Sequence, residues 1–153
     1  MSSSILVHTD LLSVARRYAE RPDDWPLAPR FNPTERWYHR LHAADDREVW
    51  LLTWLPGQAT DLHDHGGSAG AFVVVSGVLT EHTVSGVRLV PTALPSGAGR
   101  RFDAHHVHRL GNEGTAPAVS VHAYGPRLSA MTRYEFADGE LRTTGVDRAG
   151  VQW

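Results

Sequence analysis

The stretch TDLHDHGGSAGAF, residues 60–72, places His63 and His65 one residue apart, just ahead of an apolar run. On a strand, side chains two apart point to one face, so both imidazoles reach a common point while Asp64 points the other way. Two imidazoles so placed can share a metal ion. A third ligand has to come from a neighbouring strand, and His108 in HVHRLGN is the best placed, with His106 on the same face one pleat earlier. The chain has ten histidines and no cysteine, so any metal is held by His, Asp or Glu, and disulfides, thiolate ligands and a cysteine nucleophile are excluded. His8, His39, His42, His82 and His105 stand in polar or helix-adjacent contexts and read as exposed or hydrogen-bonded side chains.

A second alternating set follows in VSVHAYG. Ser120, His122 and Tyr124 face one side of a strand, while Val119, Val121 and Ala123 face the other. Such a series can hand hydrogen bonds from one member to the next without touching a metal. A hydrolytic Ser-His pair is disfavoured: no Gly-x-Ser-x-Gly turn presents Ser120, and no acid is evident to orient the base.

These side chains need a scaffold. With 153 residues, 41% of them hydrophobic, and a net charge of −2, the chain reads as one compact domain over 1–153. The near-neutral balance offers no basic face for nucleic acid and no polybasic segment for a membrane, and no apolar run approaches the roughly 20 residues that span a bilayer. MSSSILVHTD lacks a charged n-region and a sustained apolar h-region, so the expectation is a cytoplasmic protein, a monomer or small homo-oligomer. TDLLSVARRYAE carries apolar residues at helical spacing behind the capping candidates Thr9 and Asp10, and ends at the breaker RPDDWPLAP. Beyond it, EVWLLTWL, GAFVVVSG, VLTEHTV, VRLV, HHVHRL and PAVSVHAY are short, β-branched or aromatic-rich, and separated by Gly, Pro, Asn or Ser. The expected fold is mainly all-β, a single jelly-roll barrel of about 36–145 behind a helical segment of about 1–35.

The spacing of Gly57, His63-x-His65, Gly70 and Gly77 resembles the first cupin motif, with Gly70 standing where a glutamate ligand is usual. His108 and Asn112 fit the end of the second cupin motif, although Pro95-Ser96-Gly97 stands too far upstream of them. From about Trp37 to Met131, the His-Asp-His strand, the His-Arg-Leu-x-Asn strand and Ser-x-His-x-Tyr followed by Gly-Pro resemble, in order, the cysteine dioxygenase family of thiol dioxygenases. That resemblance implies a mononuclear non-haem Fe(II) held by His63, His65 and His108, and oxidation of a small thiol by O2 to a sulfinic acid. It implies that Ser120 orients His122, that His122 orients the Tyr124 hydroxyl, and that the phenol meets substrate. It implies that Arg40, in the segment matching the family's Tyr-x-Arg, binds the substrate carboxylate, pointing to L-cysteine, and that Gly125-Pro126 is cis. A cysteine that cross-links to the tyrosine in animal members is absent, since Gly70 holds its position, so Tyr124 stays a free phenol.

Three neutral imidazoles leave a metal its full charge and, at octahedral iron, three open positions on one face. The ligand set alone does not separate Fe(II) from Zn(II). Other small thiol carboxylates, 3-mercaptopropionate or mercaptosuccinate, and a non-catalytic metal-binding cupin remain the alternatives.

Overall fold

The computed structural model describes residues 10–149; the capping expectation for Thr9 lies outside them. Helix α1, Leu11–Ala19, starts where the Asp10 carboxylate accepts a hydrogen bond from the Leu12 backbone N–H at 3.3 Å. The same carboxylate receives Arg101 Nε at 2.9 Å and Nη2 at 2.7 Å, which ties the helix start to the sheet beneath. Val14, Ala15 and Ala19 form its buried stripe. A short 3-10 turn at Pro22–Asp24 redirects the chain.

Eleven strands follow: β1 Trp37–Ala44, β2 Arg47–Trp54, β3 Leu62–His63, β4 Ala69–Ser76, β5 Leu79–Ser85, β6 Arg88–Leu94, β7 Gly99–Phe102, β8 His108–Gly111, β9 Ala118–Gly125, β10 Ala130–Ala137 and β11 Glu140–Arg148. They form two antiparallel sheets, a five-stranded one in the order β1-β2-β9-β4-β7 and a six-stranded one in the order β11-β10-β3-β8-β5-β6. Two facing antiparallel sheets of short strands are the cupin barrel that the sequence predicts.

Strand β9 lies at the centre of the five-stranded sheet. Its residues from Ala118 to Tyr124 are all buried, because both faces are covered. Val119, Val121 and Ala123 turn outward with Val49, Leu51 and Val73 to meet Val14, Ala15 and Ala19 of α1. The helix lies close enough that a Cβ on Gly99 would come within 2.7 Å of Leu12 Cδ1. The inner core between the sheets holds Trp54, Phe72, Val74, Leu79, Leu110 and Leu128. At roughly 1.5–3 kcal/mol per fully buried large apolar side chain, this two-sided burial anchors the wall that carries Ser120, His122 and Tyr124.

Four strands stand beyond those the sequence predicts. The β10-β11 hairpin closes at Asp138-Gly139, with φ of 54° and 75°, the backbone that an Asp-Gly hairpin turn requires. That dipeptide is its legible sign. The strand expected from His105 begins only at His108, and β3 is two residues long, so His65 lies just past its end.

Candidate metal centre and active site

His63 and His108 face each other across the β3-β8 pair. Asp64, between the two early histidines, turns away from them. Its carboxylate accepts from the Thr132 N–H at 2.9 Å, the Tyr134 hydroxyl at 2.9 Å and the Gly66 N–H at 3.1 Å, which pins the turn after β3 to β10. His65 therefore swings back to the same point as His63 without needing a continuous strand.

The three imidazoles form a triangle, with ring centroids 4.9 Å apart in every pair. One nitrogen from each lies within 4.8 Å of the other two, close enough for a single ion to gather them. Their partners decide which nitrogen is free. His63 Nδ1 sits 2.8 Å from the Asp61 carbonyl, which can only accept, so Nδ1 carries the proton and Nε2 presents a lone pair. His108 Nδ1 sits 2.8 Å from Glu81 Oε2, with the same consequence. His65 is fully buried, and neither of its ring nitrogens has a hydrogen-bond partner among the described residues. A buried imidazole left so is unusual, and a metal ion would supply the missing partner. The donor set fits one.

Protonation agrees with that reading. Burial, reinforced by His108, pushes His63 down to about 3. Burial and the neighbouring histidines push His65 down as well, and burial lowers His108 despite the opposing hydrogen bond to Glu81. All three are neutral imidazoles near pH 7, the form that binds metal.

The opposite wall holds the second set. Trp54 Nε1 donates to Ser120 Oγ at 2.9 Å, Ser120 Oγ lies 2.8 Å from His122 Nε2, and His122 Nδ1 lies 3.5 Å from the Tyr124 hydroxyl. The indole can only donate. Because Ser120 is fully buried, its own hydrogen needs an acceptor, and His122 Nε2 is the one at hand. His122 Nδ1 then carries a proton toward Tyr124, leaving the phenol hydrogen to point onward. Burial lowers His122 to about 3, and burial, with Glu48 adding to it, raises the Tyr124 phenol. Both are neutral, so Tyr124 is a hydrogen-bond donor rather than a phenolate. Trp54, the start of this series, carries no sign of that role in the sequence.

Between the walls lies a cavity of about 190 Å³, lined by His63, His108, His122 and Tyr124 together with Trp50, Leu52, Leu128 and Met131. It suits a ligand of only a few heavy atoms, being smaller than the pockets that take drug-sized molecules. Two arginines line it. Arg133 is compensated, with Asp147 Oδ2 3.2 Å from Nε and Asp61 Oδ2 3.7 Å from Nη1. Arg36 has no ion pair among the described residues; its guanidinium lies over the Trp54 ring at 5.3 Å, and burial pulls its pKa down from the ordinary value.

Arg40, expected from its motif to bind a carboxylate, is not in the lining. It pairs with Trp50 across β1-β2, two pleats closer to the hairpin end than Arg36, and its Nη1 lies 3.7 Å from Glu48 Oε2. Glu48 is buried and accepts the Leu128 N–H at 2.8 Å, so Arg40 is its exposed counter-charge. Short-range spacing matches Tyr38-His39-Arg40 to the motif, and Arg36, Tyr38 and Arg40 share one parity; of the two arginines, Arg36, just ahead of β1, is the one that lines the cavity. His106 also departs from the three-histidine site, its Nε2 turning to Glu81 Oε2 at 3.3 Å.

Gly70 pairs with Tyr124 on one side and Phe102 on the other. A Cβ there would collide with the Phe102 ring edge and stand 3.1 Å from the Ala123 carbonyl. The place that a glutamate ligand or a cross-linking cysteine would take is therefore filled by Phe102, whose ring stacks on His65 with centroids 4.4 Å apart. The Gly125-Pro126 peptide is cis.

Two antiparallel sheets closing on a three-histidine centre define a small metal-binding cupin. The family model for cysteine dioxygenase type I matches residues 4–137, and the chain belongs to that family, which makes it a cupin-type thiol dioxygenase. No curated protein matches the chain. Among solved structures, a Thermus thermophilus protein is similar at 24% identity and TM-score 0.58, covering 65% of this chain and 90% of its own. An uncharacterised double-stranded β-helix protein of Klebsiella pneumoniae is similar at 21% identity and TM-score 0.57, covering 76% and 90%. An RmlC-like cupin of Desulfovibrio desulfuricans is similar at 19% identity and TM-score 0.55, covering 68% and 94%. At these identities the likeness speaks for the fold.

Proposed function

We propose that the protein is an iron(II) thiol dioxygenase that oxidises L-cysteine with O2 to cysteine sulfinic acid. The observation that carries the reading is a triangle of neutral imidazoles at a small cavity faced by a protonated phenol and one uncompensated arginine. His63, His65 and His108 would hold the iron, which supplies a site for thiolate and O2 together. Three neutral ligands add no negative charge, so the substrate thiolate can bring the anion.

The chain's own residues do the rest. Arg36 takes the substrate carboxylate; its planar, permanently charged donors match one, and the role expected of Arg40 passes to it. Tyr124 donates its hydroxyl hydrogen toward the substrate, held in that direction by the series from Trp54 through Ser120 and His122. Leu52, Leu128 and Met131 keep water from the sulfur. Because Arg133 is already neutralised, the cavity matches one carboxylate better than two, which favours cysteine or 3-mercaptopropionate over mercaptosuccinate.

Oxygen uptake by Fe(II)-loaded protein, measured with L-cysteine, 3-mercaptopropionate, mercaptosuccinate and cysteamine, tests the reading. Sulfinate from cysteine, with little uptake on carboxylate-free cysteamine, is expected. Arg36→Gln should raise KM at least tenfold, and Arg40→Gln should change it less than threefold. Bound metal with no uptake on any thiol would leave a non-catalytic cupin as the better description.

A further inference from the structure

Glu81 is a buried carboxylate, 3% exposed, on β5, the strand beside β8. It does not line the cavity. Its Oε2 accepts His108 Nδ1–H at 2.8 Å and is 3.3 Å from His106 Nε2, while Arg100 Nε stands 3.3 Å from Oε1. The three metal-facing histidines are thus supported unequally. His63 leans on a neutral backbone carbonyl, His65 on no hydrogen bond among the described residues, and His108 on an anion.

We propose that Glu81 is a positioning residue of the metal centre, which fixes the tautomer and orientation of His108 and makes it the strongest donor of the three. The acidic group absent at Gly70 then acts from one residue further out, through an imidazole. A carboxylate accepting from a ligand imidazole raises that ligand's basicity, and losing such a partner typically costs 10–100-fold in metal affinity. His106 and Arg100 hold the carboxylate from its other sides and keep it aimed.

Glu81, His106 and His108 Nδ1 also lie close enough together to hold an ion of their own. Arg100 argues against that use, since its guanidinium already places positive charge against Oε1.

Co(II) titration followed by visible absorption, on metal-free protein, tests the proposal independently of turnover and therefore of the substrate assignment. Wild type should bind one Co(II) per chain. Glu81→Gln, which keeps the shape but removes the charge, should bind 10–100-fold more weakly with a shifted Co(II) spectrum, while the melting temperature of the metal-free protein changes little. If Glu81→Gln fails to fold, Glu81→Asp keeps the charge but draws it back from His108, and the same weakening is expected of it. In the iron form, Glu81→Gln should raise the ferric/ferrous potential, because an anion that favours Fe(III) is gone. Unchanged Co(II) affinity and spectrum in the folded variant, or two Co(II) bound per wild-type chain, would overturn the proposal.

Discussion

The two walls of the cavity both present histidine, and they prepare it in opposite ways. On the six-stranded side, His63 and His108 each spend Nδ1 on an acceptor behind them and leave Nε2 bare. On the five-stranded side, His122 has both nitrogens engaged, Nε2 with Ser120 and Nδ1 with Tyr124. One wall can coordinate, and the other can only relay. The difference lies not in the residue type but in what stands on its far side.

The comparison breaks most completely at His65. His65→Ala removes the ligand that has no other partner, and metal per chain, measured by elemental analysis after reconstitution, should fall below about a tenth of wild type, with activity falling at least as far. If the walls do different jobs, Tyr124→Phe should keep full metal content and lose about a hundredfold in kcat, a typical size for a lost proton donor. Ser120→Ala should lose less, since it only loosens the aim of the phenol. Metal loss in Tyr124→Phe would erase the distinction between the walls.

Gly70→Ala asks whether the junction between them is filled. It forces Phe102 against His65 and should destabilise by about 1–3 kcal/mol in urea unfolding, as overpacked cores do, and Phe102→Leu should recover part of it. A neutral result would mean the ring moves freely.

The smallest effect is one of pH. His122 titrates near 3 in the folded protein against an ordinary 6.5, so below 6.5 the unfolded chain takes up a proton that folded His122 refuses. Stability is full above about pH 7 and falls as pH drops toward 3, by up to about 1.4 kcal/mol per pH unit for this group. Urea unfolding of metal-free protein at pH 7.5 and 5.5 should show the loss, and His122→Gln should make the slope shallower without abolishing it, since His63, His65 and His108 are pushed down by burial too. An unchanged slope in that variant would deny His122 its neutral, buried state.

Periodicity made much of this legible. The alternation in VSVHAYG assigns Ser120, His122 and Tyr124 to one face correctly, because β9 is regular and buried on both sides. His-x-His brings two imidazoles together even though β3 is too short to do so by pleat alone, since Asp64 anchors the turn. Where pairing across the sheet decides, local spacing fails. Arg40 has the motif while Arg36 lines the cavity, and His106 has the parity while Glu81 has the hydrogen bond to His108. Half-exposed β10 and β11 carry too many charges to stand out as strands, and only Asp138-Gly139 announces their turn.

That last hairpin bears on how such a protein diverges from its relatives. The family match ends at residue 137, yet Asp147 on β11 reaches the cavity and holds Arg133. β11 carries none of the metal-facing histidines and no member of the Tyr124 series. An exchange at 147 would leave Arg133 with only the longer contact to Asp61 and so make room for a second carboxylate beside an unaltered metal centre.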